Sequence, residues 1–387
     1  MYKIKTFNNI SDKGLSRLPS TDYDINPDHE TPDAIILRSY KLHDYPVPDS
    51  LVAVGRAGAG TNNVPVAKMS EQGIPVFNAP GANANAVTEL VIAGQLLSCR
   101  NICQAWDYAR NVEGTAEEQN RAVEDGKKKY VGYELPGRTL GVVGLGAIGV
   151  YVANAAIALG MRVIGFDPTI TVKSAWKMSS EVQEMPTIDE LIKQSDFVTF
   201  HVPMLESTKN LLNAKRIANM KKGAVVLNFA RDGVVDDEAV LKALDDGKLG
   251  AYVCDFPAQN LKGHSKVIAL PHLGASTAEA EENCAIMVAD QLKDFLENGN
   301  IHNSVNFPEI RLARIGDVRL AIANKNLPDM VGQISHVLGQ EGVNIQHMSN
   351  ESRGDLAYTL MDLDKAIDEN ALSKIKAIEG VLSARQI

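Results

Sequence analysis

The chain has 387 residues, 45% of them apolar and 22% charged, with a formal net charge of −9. That length asks for two or three domains, the composition is that of a globular protein rather than a disordered one, and an acidic chain without a long Lys/Arg run argues against nucleic acid as a partner. MYKIKTFNNI lacks the pattern of a secretory signal and no window reaches 18 consecutive apolar residues, so the expected setting is the cytoplasm, with no membrane contact.

Short apolar runs at Lys3–Phe7, Ala34–Arg38, Leu51–Gly55 and Ile74–Asn78 are separated by helix-length stretches. That alternation predicts a parallel sheet with helices on both faces. Cys99 and Cys103 lie four apart in a helical-looking stretch and, with Cys254 and Cys284, show no metal-ligand spacing. They read as reduced, buried thiols, and no metal site is expected. Arg110–Lys129 is polar and charged with few apolar anchors, as an exposed arm or helix–loop would be.

A second series of runs follows at Thr139–Val143, Arg162–Phe166, Phe197–His201, Ala224–Asn228, Gly250–Asp255 and Val267–Ala269. Two such series predict an α/β chain with two doubly wound parallel-sheet domains. Gly, Asn and Pro then cluster at Asn298–Pro308, where a linker is expected. Asp317–Ile387 reads strand, helix, strand, strand, helix, strand, a βαββαβ module.

Within the second series, TLGVVGLGAIG runs from an apolar strand through Gly144, Gly146 and Gly149 into a helix at Val150–Leu159. Each glycine has a separate task in a dinucleotide turn. Gly144 allows the tight bend, Gly146 admits the pyrophosphate close to the backbone, and Gly149 lets helix pack on strand. The next strand ends at Asp167, where a carboxylate accepts ribose hydroxyls and repels a 2′-phosphate. Pro168-Thr169-Ile170 follows with no arginine, so NAD is expected rather than NADP.

Further on, LNFARDGVVD places Arg231 just past one strand and ALPHLGAST places His272 just past another. Strand carboxyl ends are where open α/β sheets bind ligands. Oxidising a 2-hydroxy acid needs a base for the hydroxyl proton and a cation for the neighbouring carboxylate, and His272 and Arg231 suit those tasks.

Taken together, VGRAGAGTNNV from Val54, TLGVVGLGAIG from Thr139, GFDP from Gly165, NFARDGVVD from Asn228 and PHLGAST from Pro271 resemble the D-isomer-specific 2-hydroxyacid dehydrogenases, over a stretch from Ala34 to Asn306. The resemblance implies a discontinuous substrate-binding domain, residues 1–95 and 275–302, facing an NAD-binding Rossmann domain, residues 96–274, across a cleft. It implies cofactor contacts at Ala147, Ile148, Asp167, Val202, Phe229, Ala230, Asp255 and Gly274, with Ala59 from the facing domain. Arg38, Ser39, Arg56 and Asn83 are then expected near the substrate's carboxylate and phosphate, which a phosphorylated acid such as 3-phosphoglycerate requires. The alternatives are a hydroxypyruvate or glyoxylate reductase, which needs no phosphate cations, and an NAD-sensing protein without turnover.

The final stretch, in LAIANKNLPDMVGQISHVLGQEGVNIQHM, resembles an ACT domain, expected over residues 310–387. That resemblance implies an amino-acid ligand at an interface between two modules, with Asn324, Asn326 and Asn344 as contacts, L-serine as effector, and a homodimer or homotetramer. A purely architectural role in oligomerisation is the other reading. The module departs from its relatives at Asn324, where a histidine is common, and at Pro328-Asp329, where Pro-Gly is.

One departure touches the chemistry. Similar enzymes pair the histidine with a glutamate shortly after the strand-end aspartate; here Asp255 is followed by Phe256-Pro257-Ala258-Gln259-Asn260. Asn260 at the aligned position, or Gln259 with a one-residue shift, can orient an imidazole but cannot stabilise an imidazolium by charge, so oxidation is expected to persist to lower pH than with a glutamate; the alternative is a carboxylate from elsewhere in the chain.

Overall fold

The computed structural model describes all residues, Met1–Ile387, and their contacts divide into two units: Met1–Asn83 with Ala278–Ile387, and Ala84–Thr277. The first begins with β1 (Tyr2–Thr6), α1 (Asp12–Leu15), β2 (Tyr23–Ile25), β3 (Ala34–Leu37), β4 (Ala53–Arg56), α2 (Val66–Glu71) and β5 (Val76–Phe77). Its strands form a parallel sheet in the order β2-β1-β3-β4-β5. The central strand reads AIIL and is wholly buried, as a strand covered on both faces should be.

The second unit holds α3 (Ala84–Cys99), α4 (Ile102–Arg110), α5 (Ala116–Gly126), β6 (Thr139–Val143), α6 (Gly149–Ala158), β7 (Arg162–Phe166), α7 (Val172–Ala175) and β8 (Gln183–Glu184). It continues with α8 (Ile188–Gln194), β9 (Phe197–Phe200), α9 (Ala214–Asn219), β10 (Ala224–Asn228), α10 (Asp237–Asp245), β11 (Leu249–Cys254) and β12 (Val267–Ala269). The seven strands run parallel in the order β12-β11-β10-β9-β6-β7-β8. From β6 the chain winds first toward β7 and later returns on the other side to β9. That reversal creates a ligand crevice at the carboxyl ends of β6 and β9.

Helix α3 lies wholly in this second unit, whereas the sequence reading divides it at residue 95. The expected exposed arm is helical: α4 buries none of its residues, and α5 opens with a capping box in which Thr115 and Glu118 exchange hydrogen bonds. All four cysteines are free thiols, three buried and Cys103 half-buried. No helix is long and apolar enough to cross a membrane.

Helix α11 (Ala278–Asn298) returns the chain to the first unit. Its Cys284, Ala285, Val288, Ala289, Leu292, Phe295 and Leu296 are buried, a helical repeat that seats one face in the core. The helix lies so close to the sheet that a Cβ on Gly55 would come 2.4 Å from Val288. The stretch after α11 is not the linker its composition suggests. Ile301 and Phe307 are buried in the same core, and Asn306 acts as a bracket, accepting from the Val76 N–H and donating to the Ile74 carbonyl and the Ser70 hydroxyl. Asparagines there satisfy buried backbone groups instead of opening a turn.

The C-terminal module comprises β13 (Val318–Lys325), α12 (Met330–Gln340), β14 (Ile345–Arg353), β15 (Leu356–Leu363), α13 (Glu369–Lys376) and β16 (Val381–Gln386), an antiparallel sheet in the order β14-β15-β13-β16. Side chains alternate across it. Leu320, Ile322, Met361 and Leu363 face the two helices, while Ala321, Ala323, Tyr358 and Leu360 join Phe295 and Phe307 in the core of the first unit. Both faces of β13 and β15 are therefore buried, one within the module and one against the N-terminal sheet's own core, while the edge strand β14 is largely exposed.

Three arginines complete that junction. The last carbonyls of any helix lack partners further along it, and in α11 they are taken by Arg385 (Phe295 and Leu296), Arg314 (Glu297) and Arg319 (Asn298). Arg319 and Asp362 are fully buried and joined by two parallel bonds of 2.6 and 2.9 Å. Burial alone would push the Asp362 carboxyl up; the Arg319 hydrogen bonds, the Ile315 N–H and the charges of Arg319 and His347 outweigh it and hold the group below its ordinary value. Asp362 therefore stabilises the fold above the ordinary carboxylate range, and that contribution is lost as pH falls below about 4. Replacing Arg319 with Ala strands a buried carboxylate and should cost about 3–5 kcal/mol. Urea unfolding followed by far-ultraviolet circular dichroism checks this; a loss below about 1 kcal/mol would remove the pair from the stabilising core.

Candidate active site

In the second unit the glycine turn leaves β6 at Gly144, whose φ of 91° is open to glycine and strained for other residues. A Cβ there would lie 2.6 Å from the His201 carbonyl at the end of β9, and one on Gly149 would lie 1.9 Å from the Gly144 carbonyl. Beside Gly146 the space is open. The turn is thus packed from behind and clear where an anion would approach, with the first N–H groups of α6 and the Ala147–Ile148 backbone at its rim. The residues fit a bound dinucleotide.

Asp167, at the end of β7, ties this turn down. One carboxylate oxygen accepts from the Leu145 N–H at 2.8 Å, and the other accepts from the Thr169 N–H and hydroxyl. A carboxylate offers about four acceptor sites, so capacity remains for ribose hydroxyls. Val202 packs on Gly144. His201 is a site residue the sequence reading missed: burial pushes its imidazole down to about 3, and its Nε2 lies 3.0 Å from the Thr199 hydroxyl. It stays neutral there and adds no charge to the anion pocket.

Arg231 leaves the end of β10 on a turn held by another overlooked residue, Asn228. Its side chain accepts from the Ala230 N–H and donates to the Arg231 carbonyl. Phe229 is buried against Gly94 of α3. Arg231 itself is exposed, its guanidinium resting on the Ala230 carbonyl at 2.6 Å.

His272 is exposed in the loop after β12, with its ring 4.4 Å from the Phe256 ring. Asp255, next to Phe256, is buried at the end of β11. Burial pushes its carboxyl above the ordinary value, opposed by the charge of His272, the N–H groups of Gly274 and of Asp255 itself, and the charge of Arg231. A Cβ on Gly274 would lie 3.6 Å from the Asp255 Oδ2. Asp255 is therefore a carboxylate whose charge is felt at the imidazole. Asn260 sits on an exposed 3₁₀ turn, Gln259–Leu261, and shares a surface depression with Asp232 and Asp236 instead of a hydrogen bond with His272.

In the first unit Arg38 and Arg56 stand at the ends of neighbouring parallel strands, with Leu37 paired in register to Arg56. The Asn8 side chain accepts from the Ser39 and Tyr40 N–H groups, at 3.0 and 2.8 Å, and so shapes the turn that carries Arg38. Ala59 lies in the glycine-rich turn, its carbonyl accepting from the Asn78 side chain at 2.6 Å, and Asn83 ends the first unit's N-terminal segment, half-buried.

In the C-terminal module, Asn324 and Asn326 lie at the end of β13, whereas Asn344 precedes β14 at the opposite end of the sheet. Asn324 lies opposite Ala357 and Asn344 opposite Asp364 of the neighbouring strand, a separation of about 24 Å at strand spacing. One module alone cannot bring all three to one ligand. Asp329, in the place of the usual glycine, adopts φ 61°, the left-handed backbone that glycine takes without strain.

Residues 102–274 match the model of the D-isomer specific 2-hydroxyacid dehydrogenase NAD binding domain. The chain is 35% identical over 347 residues to D-3-phosphoglycerate dehydrogenase of Haemophilus influenzae, covering 87% of this chain and 81% of the relative. It is likewise 35% identical over 350 residues to the Escherichia coli K12 protein of that name, covering 87% and 82%. Among solved structures, NAD⁺-bound 3-phosphoglycerate dehydrogenase of Entamoeba histolytica shares the fold with a TM-score of 0.59 at 23% identity, covering 79% of this chain and 98% of that one.

Proposed function

The chain belongs to the D-isomer-specific 2-hydroxyacid dehydrogenase family, and from that premise we propose that it catalyses the NAD-dependent oxidation of 3-phosphoglycerate to 3-phosphohydroxypyruvate, the first step of serine synthesis. The observation that carries the substrate assignment is the pair of guanidinium groups, Arg38 and Arg56, on adjacent strand ends of the first unit. A phosphorylated acid brings a phosphate beside its carboxylate, and these two cations join Arg231 in answering them. Ser39 and Asn83 add hydrogen-bonding groups beside the same anions.

His272 accepts the hydroxyl proton as the C2–H bond breaks, and Arg231 holds the substrate carboxylate. The Gly144–Gly149 turn, Asp167, Val202, Phe229, Ala230 and Gly274, with Ala59, would hold NAD, which would supply the acceptor for the hydride of C2. Asp255 supplies the negative charge that Asn260 lacks.

The C-terminal module takes L-serine as effector, in a cytoplasmic homodimer or homotetramer. The separation of Asn344 from Asn324 and Asn326 supports a ligand shared between two modules.

Four measurements test these assignments. Phosphohydroxypyruvate should be reduced faster than hydroxypyruvate or glyoxylate by orders of magnitude, and equal rates would sink the substrate assignment. Arg38→Ala should raise the KM for 3-phosphoglycerate about tenfold while sparing NAD; an unchanged KM removes Arg38 from the site. Asp255→Asn should lower kcat for 3-phosphoglycerate oxidation about tenfold, and an unchanged kcat excludes Asp255 as the charge partner of His272. Titration calorimetry should register L-serine on the full chain; silence at millimolar concentration leaves the module an architectural role.

A further inference from the structure

We propose that Glu281 sets the affinity for the anionic substrate: it is an internal carboxylate that occupies Arg38 in the free protein and that the substrate must displace. The inference rests on the reading that Arg38 grips a substrate anion.

Glu281 lies in the first turn of α11, and its Oε1 is 2.6 Å from Arg38 Nη2. An acidic residue at that place is favoured by the helix N-terminus whether or not an arginine faces it. The pair is open to water, with 36% and 43% of the two side chains exposed, so it can be broken by a competing anion. One turn further along α11 the buried Cys284 thiol is raised by burial, lowered by the charges of Arg56 and Arg38, and raised again by Glu281. Those three charges therefore converge on one short stretch of helix.

Their sum explains the consequence. Two arginines facing a phosphorylated acid present two positive charges; Glu281 cancels one of them. The neighbouring Glu282 does not share the task, since it pairs with Lys13 at 2.7 Å. A substrate anion arriving at Arg38 loses affinity twice, by breaking the ion pair and by lying beside the released carboxylate. An enzyme built this way binds its substrate more weakly than its cations alone would allow, and discriminates against anions with a single weak contact.

The test compares Glu281→Gln, which keeps an acceptor for Arg38 and removes only the charge, with Glu281→Asp, which keeps the charge. Binding of 3-phosphoglycerate to the full chain is followed by titration calorimetry, and KM and kcat are measured in 50 mM and 500 mM salt, roughly a 13 Å and a 4 Å screening length. Glu281→Gln should lower Kd and KM by about fivefold or more at low salt, with the gap closing at high salt, kcat and the KM for NAD held, and Glu281→Asp close to the parent. An equal gain for unphosphorylated hydroxypyruvate also supports the proposal and assigns Arg38 to the shared carboxylate. An unchanged or raised Kd in Glu281→Gln overturns it. If the parent turns over hydroxypyruvate but not its phosphorylated form, the substrate assignment fails, and the effect of Glu281→Gln on the acid that is used still decides the role of Glu281.

Discussion

The carbonyl groups that end α11 are the constraint on which the first unit is organised. A helix whose final turn is buried must find donors for those oxygens, and here three arginines from the C-terminal stretch provide them. Arg319 does so while wholly out of water, which is tolerable because Asp362 meets it with two bonds and the Asn298 and Leu312 carbonyls take its remaining donors. A positive charge at a helix C-terminus is further favoured by the aligned peptide dipoles. The C-terminal module and the N-terminal sheet thus share one core, and α11 is common to both.

The same helix carries Glu281 at its other end. One rod of 21 residues therefore connects the last strands of the chain with Arg38 at the end of β3. In the second unit the comparable device is the Asp167 carboxylate, which clamps the glycine turn through the Leu145 N–H. Both arrangements place a charged side chain at the end of a helix or strand, where unpaired backbone groups make its position predictable.

Much of this was legible in the sequence where each residue has a single physical use. The glycine turn is the clearest case, since the bend at Gly144, the open side at Gly146 and the close packing at Gly149 each exclude a side chain for a different reason. Central strands were visible as continuous apolar runs, but their ends were displaced by a residue or two because burial does not stop where pairing does: Leu51–Gly55 was expected and Ala53–Arg56 is found. Strands β2 and β8 were missed because two or three edge residues carry no pattern. The stretch after α11 misled because asparagine serves turns and buried brackets alike. Arg319 was invisible for a different reason, as an arginine in a strand reads as solvent-facing until its partner 43 positions later is brought beside it. Asp255 was identified as a cofactor contact, and its nearness to His272 emerges only when the ends of β11 and β12 are set side by side.

The sharing of one core has a consequence for how such a chain can change its length. Phe295 and Phe307 meet Tyr358 with ring centres 6.4 and 6.2 Å apart, and Leu296 is covered by the same sheet. A version of the protein ending near Leu312 would turn these aromatic groups toward water and strip the donors from a helix end. The C-terminal module is therefore not a detachable appendage, and a shortened chain would need polar residues recoded at those places to stay clear of aggregation.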